Sequence, residues 1–399
     1  MDLRNEYIFD GLFGLERETL RVTDTGAPAQ TPHPFSESYL TRDFCENQLE
    51  IITPACKSIS LLMKSLKQLD SYARTKLADK NEYLWLNSNP PRISSEDDIP
   101  IAHFTGEQAF KYKYREKLQR RYGKRLMLYS GIHFNFSFSD ELMSSLYDGK
   151  SDYGDFKNTL YFRLSKQVFR YSWLIVLLTS ASPLFDLSLH SDDMQGTGFD
   201  GDASGRNGKN GYWNKFIPIL DYTNLNTYIN SINSYVSDGT LFSPSELYLP
   251  MRLKPSDSSS HDMLIRNGVD HIELRMFDVN PLAPLGVFEE DLHFAHYFLL
   301  YLTQLPDFEF TPELQKAAVE NHKAAAGYDL GSIVINGYPA RDAAMGLLED
   351  MSEYFKGFPR IIKSIDREKN KISQDKRYCK EIYSMLNEDF HSKMLKIIK

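Results

Sequence analysis

The chain has 399 residues, 42% of them hydrophobic and 25% charged, a globular composition with ample length for a large core. A formal net charge of −8 and no Lys/Arg-rich block argue against non-specific nucleic-acid binding. Three cysteines without CxxC spacing, an N-terminus with no apolar signal segment and a longest apolar run of six residues (WLIVLL, 173–178) predict a cytoplasmic protein with reduced thiols and no membrane contact.

Residues 14–22, GLERETLRV, read as a strand and are followed by the turn-like DTGAPAQTPHP. DFCENQLEIITP ends in strand composition. Residues 57–80 place apolar side chains at helical spacing among Lys and Asp and predict a surface helix. A second helix is predicted over 107–122, running into the strand MLYSGIHFNFSFS, and a long buried helix over 157–178. Residues 186–212 are rich in Gly, Asp, Ser and Asn and predict a long loop, of a length that usually carries function. A helix over about 224–236 precedes the strands ELYLPMRLK and VDHIELRMFDVNP, and from about 287 the pattern is mostly helical. No repeat or linker divides the chain. The expectation is one α+β unit: a catalytic domain over residues 1–290 and a helical C-terminal portion over 291–399 packed on it.

Successive side chains of a strand alternate faces, so Glu16 and Glu18 point the same way, roughly 7 Å apart, and Arg17 the other. A solvated sheet face would account for one such pair. The arrangement recurs, however. Asp43, Glu46 and Glu50 lie in DFCENQLE. His133, Asn135 and Ser137 share one face opposite Phe134, Phe136 and Phe138. Glu273 and Arg275 share one opposite Ile272, Leu274 and Met276. Each strand therefore has an apolar face for helices and a face bearing acids with a His or an Arg. A sheet curled with those faces inward makes a carboxylate-lined cup. Hard cations such as Mg²⁺ choose carboxylate oxygen and bring phosphate with them. An Arg there can hold a substrate carboxylate by a bidentate pair. The pattern points to metal-assisted phosphoryl chemistry on an acidic small molecule.

GLERETLRV, DFCENQLEIITP, YREKLQRRYG, SGIHFNFS, SASP at 180–183, ELYLPMR and IELRMFDVNPLAPLGV occur in one order along residues 14–287. In this the chain resembles bacterial glutamate–cysteine ligases and the N-terminal ligase module of bifunctional glutathione synthetases. The resemblance covers roughly the first 290 residues. It implies a glutamine-synthetase-like fold, a curved, mostly antiparallel sheet forming a cup flanked by helices. It implies ATP- and Mg²⁺-dependent joining of glutamate to cysteine through a γ-glutamyl phosphate, with two or three Mg²⁺ ions (Mn²⁺ as a substitute). By the family's pattern Glu18, Asp43 and Glu50 would hold one ion, and Glu16, His133 and Glu273 the others. Arg275 would hold the glutamate carboxylate, and Arg206 and Tyr212 would reach the substrates. Phe44, Tyr114, Leu118 and Tyr248 would line the pocket for the cysteine side chain, with Arg115 beside them. The implied partners are glutamate, cysteine and ATP, with a monomer or dimer as the assembly. The alternatives are a γ-glutamyl ligase for another amine and a non-catalytic binding protein with the same cup.

Three positions depart from the family. Met127 stands where a Gln is common, Asn210-Gly211-Tyr212 replaces Leu-Gly-Tyr, and NEYLWLNSNPPR replaces a Trp-Pro-Leu-Ser segment. Met127 cannot hydrogen-bond as Gln does. These changes bear on which amine is accepted. The chain also ends early, and no ATP-grasp domain is expected to follow. Three further signals are discounted. GTGFDG at 196–201 does not sit between a strand and a helix and reads as a loop, a lid over the site. His293 and His296, after Glu289 and Glu290, read as a solvated helix face. Cys45 reads as a buried, inert thiol.

Overall fold

The alternating run near the start of the chain forms β1 (Gly11–Thr23), the longest strand of the sheet. The structure, a computed structural model, describes residues 2–106, 109–256 and 261–399. β2 (Leu40–Thr41) and β3 (Gln48–Ile52) follow, then α1 (Ile59–Ala78), whose N-cap Ser58 accepts from the Leu61 amide at 3.2 Å. β4 (Glu82–Trp85) is a strand that sequence reading did not assign, because four residues inside NEYLWLNSNPPR are too few to show a period. Next come α2 (Phe110–Tyr122), β5 (Gly131–Phe138), α3 (Asp140–Leu146) and α4 (Tyr153–Thr179). Residues 107–108, the start of the helix predicted over 107–122, lie outside the described residues. The segment read as a long loop contains a small hairpin, β6 (Phe185–Asp186) with β7 (Thr197–Gly198). α5 (Leu225–Ser237), β8 (Met251–Lys254), α6 (His261–Asn267) and β9 (His271–Asp278) complete the region that carries the sheet. The rest is helical: α7 (Glu289–Gln304) and α8 (Pro312–Ala325), a hairpin of β10 (Val334–Ile335) and β11 (Tyr338–Pro339), then α9 (Ala340–Tyr354), α10 (Pro359–Ser373), α11 (Tyr378–Leu386) and α12 (Phe390–Ile398). No helix among the described residues is long and apolar enough to cross a membrane.

The large sheet runs β2-β3-β1-β5-β9-β8, with β4 on the far end of β1, and every pairing is antiparallel. The fold is α+β, an antiparallel sheet flanked by helices, as the sequence led us to expect. Phe13 and Leu15 of β1, Phe134 and Phe136 of β5 and Ile272 and Leu274 of β9 are buried in one continuous core. α1 packs on β1, β3 and β4, α4 on β8 and β9, and α7 bridges α1 and α4. α8, α9 and α10 pack on this helical layer, and α12 reaches back to β4 and β6.

The helix-side face is not wholly apolar. Arg17 is fully buried there and donates to Asp70 of α1 at 2.5 Å and to the Leu285 carbonyl at 3.1 Å. Asp70 lies in the buried stripe Ile59, Leu62, Leu66, Asp70, Ala73, Leu77, so the helix expected at the surface carries a buried acid because β1 presents a buried base. Arg74 completes the pair at 2.7 Å. Farther along β1, Arg21 pairs with Glu82 at 2.7 Å, both buried.

Removing one partner of a buried pair leaves the other charge uncompensated. Asp70→Ala is expected to lose about 3–5 kcal/mol in urea titrations at pH 7. Burial would raise the Asp70 carboxyl, but Arg17 and Arg74 outweigh it and hold the group below its ordinary value. Such a group contributes stability above its unfolded pKa of about 3.9 and loses it as pH falls through the lower folded value. The gap between wild type and variant should therefore close in acid. A gap that stays constant down to the acid transition would contradict this account.

Candidate active site

The other face of the sheet gathers the acids. Register sets Glu18 opposite Glu50 of β3 and Glu16 opposite His133 of β5, and pairs Asn135 with Glu273 of β9. His133 Nδ1 lies 3.2 Å from Glu16 and 3.6 Å from Glu273, and its Nε2 lies 3.6 Å from Glu18. Asn135 donates to Glu16 at 3.2 Å, and the Gly131 amide donates to Glu18 at 2.7 Å. Two sets of ligand atoms result, each within 4.8 Å: Glu16, His133, Glu273 and Glu18, Glu50, His133. A neutral imidazole offers one lone pair, so His133 can serve one set and not both at once.

Between Ile132 and Phe134 the β5–β9 register slips. One residue of β5, His133, faces two of β9, Arg275 and Met276. A bulge of this kind re-aims a side chain. Here Arg275 joins the acid face, donating to Glu273 at 3.0 Å and lying 3.4 Å from His133 Nδ1. β8 adds two cations that sequence reading missed. Lys254 Nζ is 3.4 Å from Glu273, and Arg252 is in register with that residue. The alternation in MRLK was the available signal.

The charges sort the carboxylates. Desolvation, then Glu16, Asp43, Glu18 and Glu273, push Glu50 well above the usual carboxylate range. Burial would do the same to Glu273, but Lys254, Arg275, His133 and Arg252 hold it well below. His133 Nε2 is buried without a hydrogen-bond partner, between Glu18 and the Glu50 side of the cup. Clustered carboxylate oxygens and one orphaned imidazole nitrogen are the donor set of a hard divalent cation.

Of the other expected residues, Asp43 is not drawn into either set. Its carboxylate acts on Glu50 at longer range, and its backbone carbonyl accepts from Arg115 Nε at 2.5 Å. Arg115 lies over the Phe104 ring, 4.7 Å from its centroid. Phe44 and Leu118 are buried in the core and Tyr114 is half-buried. The Tyr212 and Tyr248 rings meet at a 41° tilt with centroids 4.3 Å apart, and burial, then Tyr212 and Tyr114, raise the Tyr248 phenol. Arg206, Tyr212, Tyr248 and Arg275 border one small cleft together with Trp213 and His322. Met127 is buried, and its carbonyl accepts from Gln48 at 3.0 Å.

The glycine-rich loop is packed into the fold after residue 202, whereas Phe199, Asp200 and Gly201 at the end of GTGFDG are exposed. Ala203, Ser204, Arg206 and Asn207 are buried. A Cβ on Gly208 would fall 2.1 Å from Asp202, and one on Gly211 2.1 Å from the Arg206 carbonyl, so the glycines let the loop fold on itself. Arg206 crosses β5 where Gly131 has no side chain, and a Cβ there would lie 2.3 Å from its guanidinium carbon. GTGFDG lies in this loop, at the β6–β7 hairpin, and opens no helix. His296 corrects another expectation. It is buried, packs edge-on against Phe13 at 4.9 Å, and burial lowers its pKa to about 3. His293 stays near Glu289, at 3.5 Å. Cys45 is buried with its thiol pKa pushed up by burial, and it donates to Asn47 at 2.8 Å.

The chain matches the family model described as glutamate-cysteine ligase over residues 2–242 and 217–325. A glutathione biosynthesis bifunctional protein of Listeria welshimeri is 38% identical over 362 residues, 86% of this chain and 46% of that protein. The protein of the same name from Clostridium perfringens is 33% identical over 371 residues, 87% of this chain and 47% of that one. The crystal structure of a glutamate–cysteine ligase from Francisella tularensis in complex with AMP shares the fold, with a TM-score of 0.86 at 24% identity over 98% of this chain and 87% of that one. The chain spans about half the length of the curated relatives it matches.

Crowded acids make a sharp expectation for the protein studied without divalent cations. Glu50→Gln replaces a carboxyl that the crowded fold forces to hold a proton with a neutral isostere, and should stabilise that form by about 1–2 kcal/mol at pH 7. A carboxyl whose folded pKa is raised keeps its proton where the unfolded chain has released it, so wild-type stability declines as pH rises above about 4.3. The Gln variant should lack that part of the decline in chelator-treated urea titrations. Equal curves would remove Glu50 from the crowded cluster.

Proposed function

The chain belongs to the glutamate–cysteine ligase family, and from that premise we propose that it joins the γ-carboxylate of glutamate to the amine of cysteine, driven by ATP. The product is γ-glutamylcysteine, the first intermediate of glutathione synthesis. The observation that carries the reading is the acid face: Glu16, Glu18, Glu50 and Glu273 around His133, with Arg275 at its edge.

By the family's pattern Glu18 and Glu50, with Asp43 nearby, would hold one Mg²⁺ and Glu16, His133 and Glu273 the others, with Mn²⁺ as a substitute; the free His133 Nε2 lies nearer Glu18, which favours His133 as a ligand of the first ion. When bound, the ions supply charge neutralisation for the triphosphate and its transferring phosphoryl group. Glu273 is kept ionised by Lys254, Arg275 and Arg252 and so needs no proton loss to bind a cation. Arg275 holds the glutamate carboxylate through its planar fork, exchanging part of its bond to Glu273 for the substrate. The γ-carboxylate attacks the γ-phosphorus of ATP, whose bond to the β,γ-bridging oxygen breaks as ADP leaves; the second amino acid's amine then attacks the acyl carbon, the C–O bond to phosphate breaks, and the nitrogen loses a proton to give the amide. Positioning and electrostatics supply the rate, and no protein nucleophile is required. Tyr114, Tyr212 and Tyr248, backed by Phe44 and Leu118, offer an aromatic wall to a small side chain such as that of cysteine. Arg115 steadies the Asp43 segment through its carbonyl.

Phosphate release from ATP with Mg²⁺ and glutamate, with and without cysteine, tests the reaction. Release should depend on cysteine and fall about 100- to 1,000-fold in Glu16→Gln. Release that needs a different amine would keep the mechanism and change the substrate. No release with any amino acid would favour a binding protein. In the same assay Gly131→Ala should cut turnover about 100-fold, since its Cβ displaces Arg206. Unchanged turnover would mean Arg206 plays no part.

A further inference from the structure

The β9 bulge presents two successive carbonyls, those of Arg275 and Met276, across from the single residue His133. Both are taken by adjacent residues of the glycine-rich loop. Arg206 Nη1 donates to the Arg275 carbonyl at 2.5 Å, and Asn207 Nδ2 donates to the Met276 carbonyl at 3.0 Å. The orientation of the Asn207 amide is determined by its surroundings. Nδ2 also faces Ser204 Oγ at 2.9 Å and Asp278 Oδ1 at 3.4 Å, both able to accept. Oδ1 is therefore the atom turned toward His322 Nε2, 3.2 Å away.

His322 comes from α8, is 1% exposed and lies edge-on to Trp213, with ring centroids 5.1 Å apart at 90°. Burial first, then Arg206 and Lys323, lower its pKa to about 3, so the ring is neutral at pH 7. A neutral imidazole carries one proton. An amide oxygen cannot donate, so that proton sits on Nε2. Nδ1 is then the acceptor for the Ser172 hydroxyl of α4, at 2.9 Å. Ser172 Oγ also lies 3.2 Å from the Phe169 carbonyl, but with no proton on Nδ1 its hydroxyl must be the donor to His322, the shorter contact, and His322, Asn207 and Met276 each keep one role.

We propose that His322 is a positioning residue for Arg275. Its Nε2–H fixes the Asn207 amide, Asn207 fixes the bulge, and the bulge sets where the carboxylate-binding guanidinium stands. The kinetic part of the test rests on the ligase reading, and the spectroscopic part does not.

His322→Leu removes the donor at similar volume, and His322→Gln restores a side-chain N–H. The Leu variant should raise KM for glutamate about tenfold, the worth of one hydrogen bond, with KM for ATP within about twofold. The Gln variant should recover most of that loss. Arg275 Nε–H, assigned in ¹⁵N-arginine-labelled protein through Arg275→Lys, should shift in the Leu variant and return in the Gln variant, whether or not the protein turns over. If the Leu variant does not fold, Asn207→Ala carries the same expected KM and resonance changes. An unmoved Arg275 resonance together with unchanged KM for glutamate in a folded variant would overturn the proposal, as would equal losses in Leu and Gln. An inactive wild type with an Arg275 resonance that follows the variants would sink the ligase reading and leave the positioning role standing.

Discussion

Four carboxylates on one face of one sheet repel each other, and much of the architecture around them answers that repulsion. Glu16, Glu18, Glu50 and Glu273 converge on a single imidazole. Side chains on adjacent antiparallel strands stand about 5 Å apart, so register alone brings these acids together. The neutralising groups come from the edge of the sheet. Lys254 and Arg252 on β8 and Arg275 on β9 surround Glu273, while at Glu50, on β3, burial and the neighbouring acids outweigh the pull of Lys111 and Arg115 and drive it toward its protonated form. Glu273 is thus held ionised and Glu50 pushed toward its protonated form on the same face. A face of that sort suits cations that arrive with a polyanion and compete with protons for the same oxygens.

The face pattern was legible because the pleat has a period of two and these strands keep it. GLERETLRV, SGIHFNFS and HIELRMF each showed which side chains travel together, and the sheet order then joined them. The buried charges on the reverse face were less legible. Arg17 and Asp70 are 53 positions apart, and neither sequence stretch signals the other. The bulge was invisible for a related reason. A slip of one residue between β5 and β9 belongs to the pairing and not to either strand. It puts Leu274 and Phe277, three residues apart, on the same helix-side face, while Glu273 and Arg275 keep the common face that HIELRMF already showed. His296 failed in the opposite direction. Its spacing from His293 suggested a common exposed face, but one ring packs against Phe13 and Phe136 while the other stays near Glu289.

The loop of residues 201–213 shows how composition can mislead about mobility. Its glycines look like slack in the sequence. In the fold they are the points where backbone meets backbone or side chain too closely for a Cβ. Arg206 and Asn207 then reach through that compact loop to the carbonyls of the bulge. Met127, one of the positions that depart from the family's pattern, is buried.

The return of α12 to the start of the sheet has a consequence for how the molecule is made. Phe390 packs edge-on against Trp85 of β4 at 5.9 Å, and His391 bonds the Thr25 carbonyl across 366 positions of sequence. The turn after β1 and the short strand beside it therefore stay without this cover until nearly all of the described chain has left the ribosome. Closing so long a loop is slow, and strand edges left open meanwhile invite wrong pairings. Every strand that carries the acid face precedes residue 279, so all of them have emerged before the residues that seal the fold.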